Sequence, residues 1–138
     1  MKNGSVILEL HRAAHATLHL LGRELADLGL TASEINALGN LADRTARTVS
    51  ALGADVGARP ATLTGILDRL EHGGLITRGA RPGDRRAVLI ELTPDGEQAA
   101  ARIEGTLRSL EERALAGMSA EAIAGARAVL RALTEAQP

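Results

Sequence analysis

The chain has 138 residues, 45% of them apolar, with a formal net charge of −1, a length that fits one domain whose core needs no staples. It has no Cys, Trp, Tyr or Phe. That excludes disulfides, thiolate metal sites and thiol redox chemistry, and it removes the aromatic platforms on which single-strand and RNA readers stack bases.

Ala (26) and Leu (22) dominate, and both favour helices. Apolar residues recur from Ile7 through Ala14, Leu18, Leu21, Leu25 and Leu28, which predicts one helix over roughly six turns that Gly29 ends. Thr31-Ala32-Ser33-Glu34 reads as a capping box opening a short helix with Ile35, Leu38 and Leu41 inward. Thr48 caps a second short helix carrying Val49, Leu52 and Val56, which Gly57 breaks. A third helix starts at Pro60 and runs to His72, with Leu63, Ile66, Leu67 and Leu70 inward and Gly73-Gly74 as the stop. Leu75–Arg78 and Val88–Leu92 read as strands joined by the turn-forming Gly79–Asp84. Thr93-Pro94-Asp95 opens a helix to about Leu115, and Ser119 caps the last one. No apolar run approaches the roughly 18 residues of a membrane span. Met1 to Glu9 lacks the form of a signal peptide, so a cytoplasmic protein without membrane contact is expected.

Charge is uneven. Between Arg44 and Val88 eight arginines face four acids, a segment of +4 that leaves −5 for the flanks. A basic middle on an acidic body points to a local polyanion contact; solvated surface arginines on a plain helical domain are the bland alternative. Layout decides between them. Two short helices joined by Gly57-Ala58-Arg59 and followed by a β-hairpin make a winged helix-turn-helix, and a helix about 10–12 Å across fills a major groove about 12 Å wide. The outward residues of the helix from Pro60 are Ala61, Thr62, Thr64, Gly65, Asp68 and Arg69. The fold class expected is mainly α with a small β-hairpin wing, and the expected partner is double-stranded DNA.

The blocks Thr48–Gly53, Pro60–Glu71, Gly74–Arg78 and Asp84–Gly96 resemble the MarR family of bacterial transcriptional regulators, in order and over nearly the whole chain. The Leu-Thr-x-x-Gly exit from the wing, preceded by Asp-x-Arg, is the most specific of them. The resemblance implies a homodimer, with residues 1–30 and 94–138 as the helical dimerisation region and 31–93 as the DNA-binding lobe. It implies binding to a pseudo-palindromic operator, usually as a repressor, and release by a small effector of unknown identity. Carried over, Pro60, Ala61, Thr62 and Thr64 look like the recognition face, with Arg69 beside them. Arg86 looks like the wing-tip arginine of the minor groove, Asp84 like its orienting partner, and Arg81 and Arg85 like phosphate contacts. Two positions depart from the family pattern: Arg59 stands where a capping Ser or Asp is common, and Gly65 where a polar or basic side chain is common. The leucine stripes of the first and last two helices exceed what one small domain needs, and a two-fold dimer would bury them.

His11, His15 and His19 stand at i, i+4 and i+8 on the first helix. The outer two are about 12 Å apart along the axis, so one ion cannot take all three. They are expected to flank the dimerisation helix or to line the effector pocket, with a metal-responsive regulator as an alternative. No nucleophile elbow, P-loop or dinucleotide fingerprint appears, so neither an enzyme nor a bound cofactor is expected. A further alternative is a winged-helix module that binds protein instead of DNA.

Overall fold

A computed structural model describes residues 4–136, except the side chains of Arg81, Arg85 and Arg86. It is mainly helical with a small three-stranded antiparallel sheet. Two compact units divide the chain, Met1–Leu107 and Arg108–Pro138.

In the first unit, α1 spans Val6–Glu24, with Ser5 accepting from the Leu8 amide at its start. The stripe that continues to Leu28 in the sequence is broken: α1 stops at Glu24, Ala26–Leu28 forms one 3-10 turn, and Gly29 takes φ +66°. α2 is Ala32–Asn40, opened by both bonds of the expected capping box, Glu34 N to Thr31 Oγ1 (3.2 Å) and Thr31 N to Glu34 Oε1 (3.0 Å). α3 is Val49–Val56, capped by Thr48, and α4 is Pro60–His72. The turn between them rests on Gly57 at φ +68°, a conformation that costs glycine nothing.

β1, Arg47–Thr48, pairs with Ile90 and Leu89 of β3 (Asp84–Leu92), so the sheet order is β1-β3-β2. β2 is Ile76–Arg81. The wing strands run closer to the tip than the turn-forming Gly79–Asp84 suggests: Gly79 and Ala80 pair with Leu89 and Val88, and Pro82-Gly83 alone makes the bend. β1 is absent from the sequence reading because two residues carry no periodicity.

α5, Pro94–Ala114, starts on a tight joint. Thr93 donates its amide to Leu75 O (3.1 Å) and its hydroxyl to Gly74 O (2.6 Å), while its Oγ1 accepts from Gly96 N (3.0 Å). A Cβ on Gly96 would stand 1.8 Å from Leu75 O. The Leu-Thr-x-x-Gly exit is thus a close approach of two backbones. The core of this unit is wholly aliphatic, with Leu38, Leu41, Leu52, Leu67, Leu70, Ile90 and Ile103 almost fully buried. In the second unit Ser119 caps α6, Ala120–Thr134, none of whose residues is buried. No helix among the described residues is long and apolar enough to cross a membrane.

Candidate nucleic-acid interface and effector cavity

The start of α4 is open. Pro60, Ala61, Thr62 and Thr64 are exposed, opposite the buried Leu63, Ile66, Leu67 and Leu70. Arg59 precedes the helix without a side-chain cap bond. Pro60 has no amide proton, and Leu63 donates its own to Arg59 O (2.9 Å). The amides of Ala61 and Thr62 are therefore what this positive helix end offers an anion. Thr64 Oγ1 donates to Pro60 O (2.9 Å), and its oxygen can still accept. Arg69 lies further along, 55% exposed, with Nε 3.9 Å from Glu34 Oε1.

The basic stretch divides in two. Arg47 donates to both oxygens of Asp43 (2.5 and 3.0 Å) and lies 3.2 Å from Asp55 Oδ2. Arg78 on β2 reaches back to α4, to Asp68 Oδ1 at 2.7 Å and Glu71 Oε1 at 3.0 Å, and its amide donates to Glu71 Oε2. These hydrogen bonds hold the Asp43 and Glu71 carboxyls below their ordinary range and raise both guanidinium groups above theirs. Arg47 and Arg78, two of the eight arginines of the basic stretch, are structural ties. Internal pairing also engages Asp55, Asp68 and Glu71, and Arg69 stands within 3.9 Å of Glu34. A pair joining α4 to β2, ten residues apart, has no local sequence signal.

Asp84 opens β3 opposite Arg81. The wing residues Arg81, Arg85 and Arg86 belong to β2 and β3 by backbone, but their side chains lie outside the described residues, and with them the expected Asp84–Arg86 arrangement.

A cavity of about 210 Å³ opens between α1, α2 and α5, lined by Leu18, Leu21, Ala32, Ile35, Asn36, Gly39, Asn40, Ile103 and Leu107. His11, His15 and His19 are exposed on α1 and are not among its lining residues. Among the described residues no three His, Asp or Glu side chains group closely enough to hold a metal ion.

A helix-turn-helix whose second helix presents its amino end beside a two-stranded wing defines the winged helix-turn-helix class. Residues 30–88 match the model of the MarR family. It is 37% identical over 92 residues to an organic hydroperoxide resistance transcriptional regulator of Bacillus subtilis (strain 168), covering 64% of this chain and 63% of that one. The chain spans less than two thirds of the length of the curated relatives it matches. Its fold is that of NadR in complex with 4-hydroxyphenylacetate (TM-score 0.86, 23% identity, 99% of this chain and 97% of that one). It is also that of a mutant MarR from E. coli complexed with operator DNA (TM-score 0.74, 24% identity, 90% and 89%).

Proposed function

We propose that the chain is a sequence-specific, double-stranded DNA-binding transcriptional regulator: a homodimeric repressor released from a pseudo-palindromic operator by a small effector. The observation that carries this is the open amino end of α4, with Ala61, Thr62 and Thr64 outward, in a stretch where the sequence sets eight arginines against four acids. Pro60, Ala61, Thr62 and Thr64 face base edges, and Arg69 faces the backbone. Arg81 and Arg85 neutralise phosphates, and Arg86, oriented by Asp84, enters the minor groove.

Residues 31–93 form the DNA-binding lobe, and 1–30 with 94–138 the dimerisation region. Exposed apolar side chains in the latter support this: Val6, Ile7 and Leu8 on α1, and Val129 and Leu130 on α6. A second copy would cover such stripes. The cavity between α1, α2 and α5 is the effector site.

Selection of bound fragments from random duplexes, followed by titration of the selected duplex across a salt series, tests the reading. The expected result is a palindromic site whose log–log salt slope is about −0.9 per phosphate neutralised. Arg86→Ala should weaken binding and leave the dimer intact. Absence of any salt slope would favour the protein-binding module instead. DNA binding unaltered by added metal or chelator would remove the metal-responsive alternative.

A further inference from the structure

We infer that the α1–α2–α5 cavity takes a small uncharged ligand with an aliphatic body and a carboxamide-like head, a group that both donates and accepts. The inference rests on the effector reading for the choice of site and goes beyond it in naming the ligand's chemistry.

Three observations carry it. The first is the charge of the walls: none of the nine lining residues is ionisable. A carboxylate seated here would have no cation beside it, and an ammonium no anion, and burying an unpaired ion is far costlier than burying a neutral dipole. The second is the pair of amides. Asn36 and Asn40 lie one turn apart on α2 and are the polar side chains of the lining. Asn40 Nδ2 donates to Asn36 O (2.8 Å) and to Asn36 Oδ1 (3.1 Å). Asn36 Nδ2 and Asn40 Oδ1 carry no hydrogen bond among the described residues. That leaves one donor and one acceptor on neighbouring turns, the complement of a primary or secondary amide. The third is size and surface. Leu18, Leu21, Ile35, Ile103 and Leu107 supply aliphatic walls, and Gly39 leaves open the space that a Cβ would fill in ordinary contact with Ile103 Cγ2 (3.4 Å) and Leu107 Cδ1 (3.8 Å). A volume of 210 Å³ exceeds the ~150 Å³ cavity that takes benzene, so it holds about eight non-hydrogen atoms. With no aromatic residue in the chain, ring stacking contributes nothing to selectivity.

The test uses three probes of equal length, hexanamide, hexanoate and hexylammonium, titrated into the purified full chain at neutral pH and followed by amide chemical shifts. Hexanamide is expected to saturate and to move the signals of Ile35, Asn36 and Gly39, with both ions at least about tenfold weaker for want of a counter-charge. Asn36→Leu should weaken hexanamide by about fivefold or more through loss of the donor. Asn36→Asp should turn the preference toward hexylammonium, a reversal that mere loss of packing cannot produce. Hexanoate or hexylammonium binding the wild type as tightly as hexanamide, no binding by any of the three, or shifts that map elsewhere would overturn the inference. Operator occupancy measured in the same titrations separates the two claims. Hexanamide that binds as expected and leaves occupancy unchanged refutes the effector reading and spares the ligand class; an anionic probe that binds here and releases DNA does the reverse.

Discussion

The lobe from α2 to β3 and the helices at either end are built from the same aliphatic residues and reach opposite states. In the lobe, three short helices and a small sheet bury Ile35, Leu38, Leu41, Leu52, Leu63, Ile66, Leu67, Leu70, Ile76 and Ile90 within one chain. α1 is longer than any of those three helices, yet Leu21 is its one buried residue, and α6 has none. Length and leucine content therefore do not decide whether a helix is satisfied; what decides is whether neighbouring elements of the same chain return to cover it. The lobe closes on itself because tight joints bring its elements together, while α1 and α6 leave most of their apolar residues for something else.

The sharpest way to break the closed half is at its tightest joint. Gly96→Ala places a Cβ 1.8 Å from Leu75 O, and both sides of that contact are backbone. Relief requires moving the start of α5 away from the end of α4, which would also stretch the two bonds from Thr93 to Gly74 and Leu75. A loss of about 3 kcal/mol or more is expected, read as a lowered midpoint in urea. A wild-type midpoint would mean that the joint does not hold the lobe shut.

The open half breaks differently. Leu130 is 44% exposed on α6, so within one chain Leu130→Glu should change stability by no more than about 0.5 kcal/mol. In a homodimer that buries it, a carboxylate enters an apolar seam at a cost of about 2 kcal/mol or more. Sedimentation is expected to show a shift to the half-mass species at micromolar concentration while the circular dichroism of the helices is retained. An unchanged dimer would move the interface elsewhere.

A third change acts inside the lobe, on the tie from wing to recognition helix. Arg78→Ala removes the bonds to Asp68 and Glu71. These side chains are partly exposed, so stability should fall by about 1 kcal/mol or less, and operator affinity by about tenfold as the wing loses its angle to α4. The pair also sets a pH dependence. Arg78 holds the folded-state Glu71 carboxyl below its ordinary value, so its contribution is fully present above that ordinary value and fades as pH falls through the lower, folded one. Asp43 with Arg47 acts in the same direction, and so does Asp27, which accepts from both terminal nitrogens of Arg102 (2.7 and 2.9 Å). The stability gap between wild type and Arg78→Ala should thus narrow in acid; a gap constant down to the most acid folded conditions would show that the ion pair contributes nothing.

What the sequence made legible follows the range of each signal. Caps act over three residues, so Thr31, Thr48, Thr93 and Ser119 all cap as read. Helix periodicity located α2, α3 and α4 for the same reason. It misread the end of α1, since the stripe through Leu25 and Leu28 continues in phase whether the backbone is α-helical or tightens into a 3-10 turn. β1 and the Arg78 tie depend on pairings across tens of residues or between elements, and neither leaves a local pattern. The open face of α4 could be read because Pro60 and the spacing of Leu63, Ile66, Leu67 and Leu70 fix it. That Arg47 and Arg78 are internal ties could not, because an arginine's partner is chosen by the fold.

The smallest change tests whether the open face of α4 is built for contact or for stability. Gly65 lies in the middle of a 13-residue helix, where glycine costs about 1 kcal/mol relative to alanine. Nothing in the fold demands it: its φ is not positive, and an added Cβ would meet only Arg69 Nη1, at 3.6 Å, the end of a flexible side chain. Gly65→Ala should therefore raise the urea midpoint by an amount equivalent to about 0.5–1 kcal/mol. Operator affinity in the same variant separates two roles. If affinity is unchanged or better, Gly65 is a plain weakness in the recognition helix. If affinity drops while stability rises, the missing side chain is room that the duplex needs, and the lobe gives up helix stability at the point where it meets DNA.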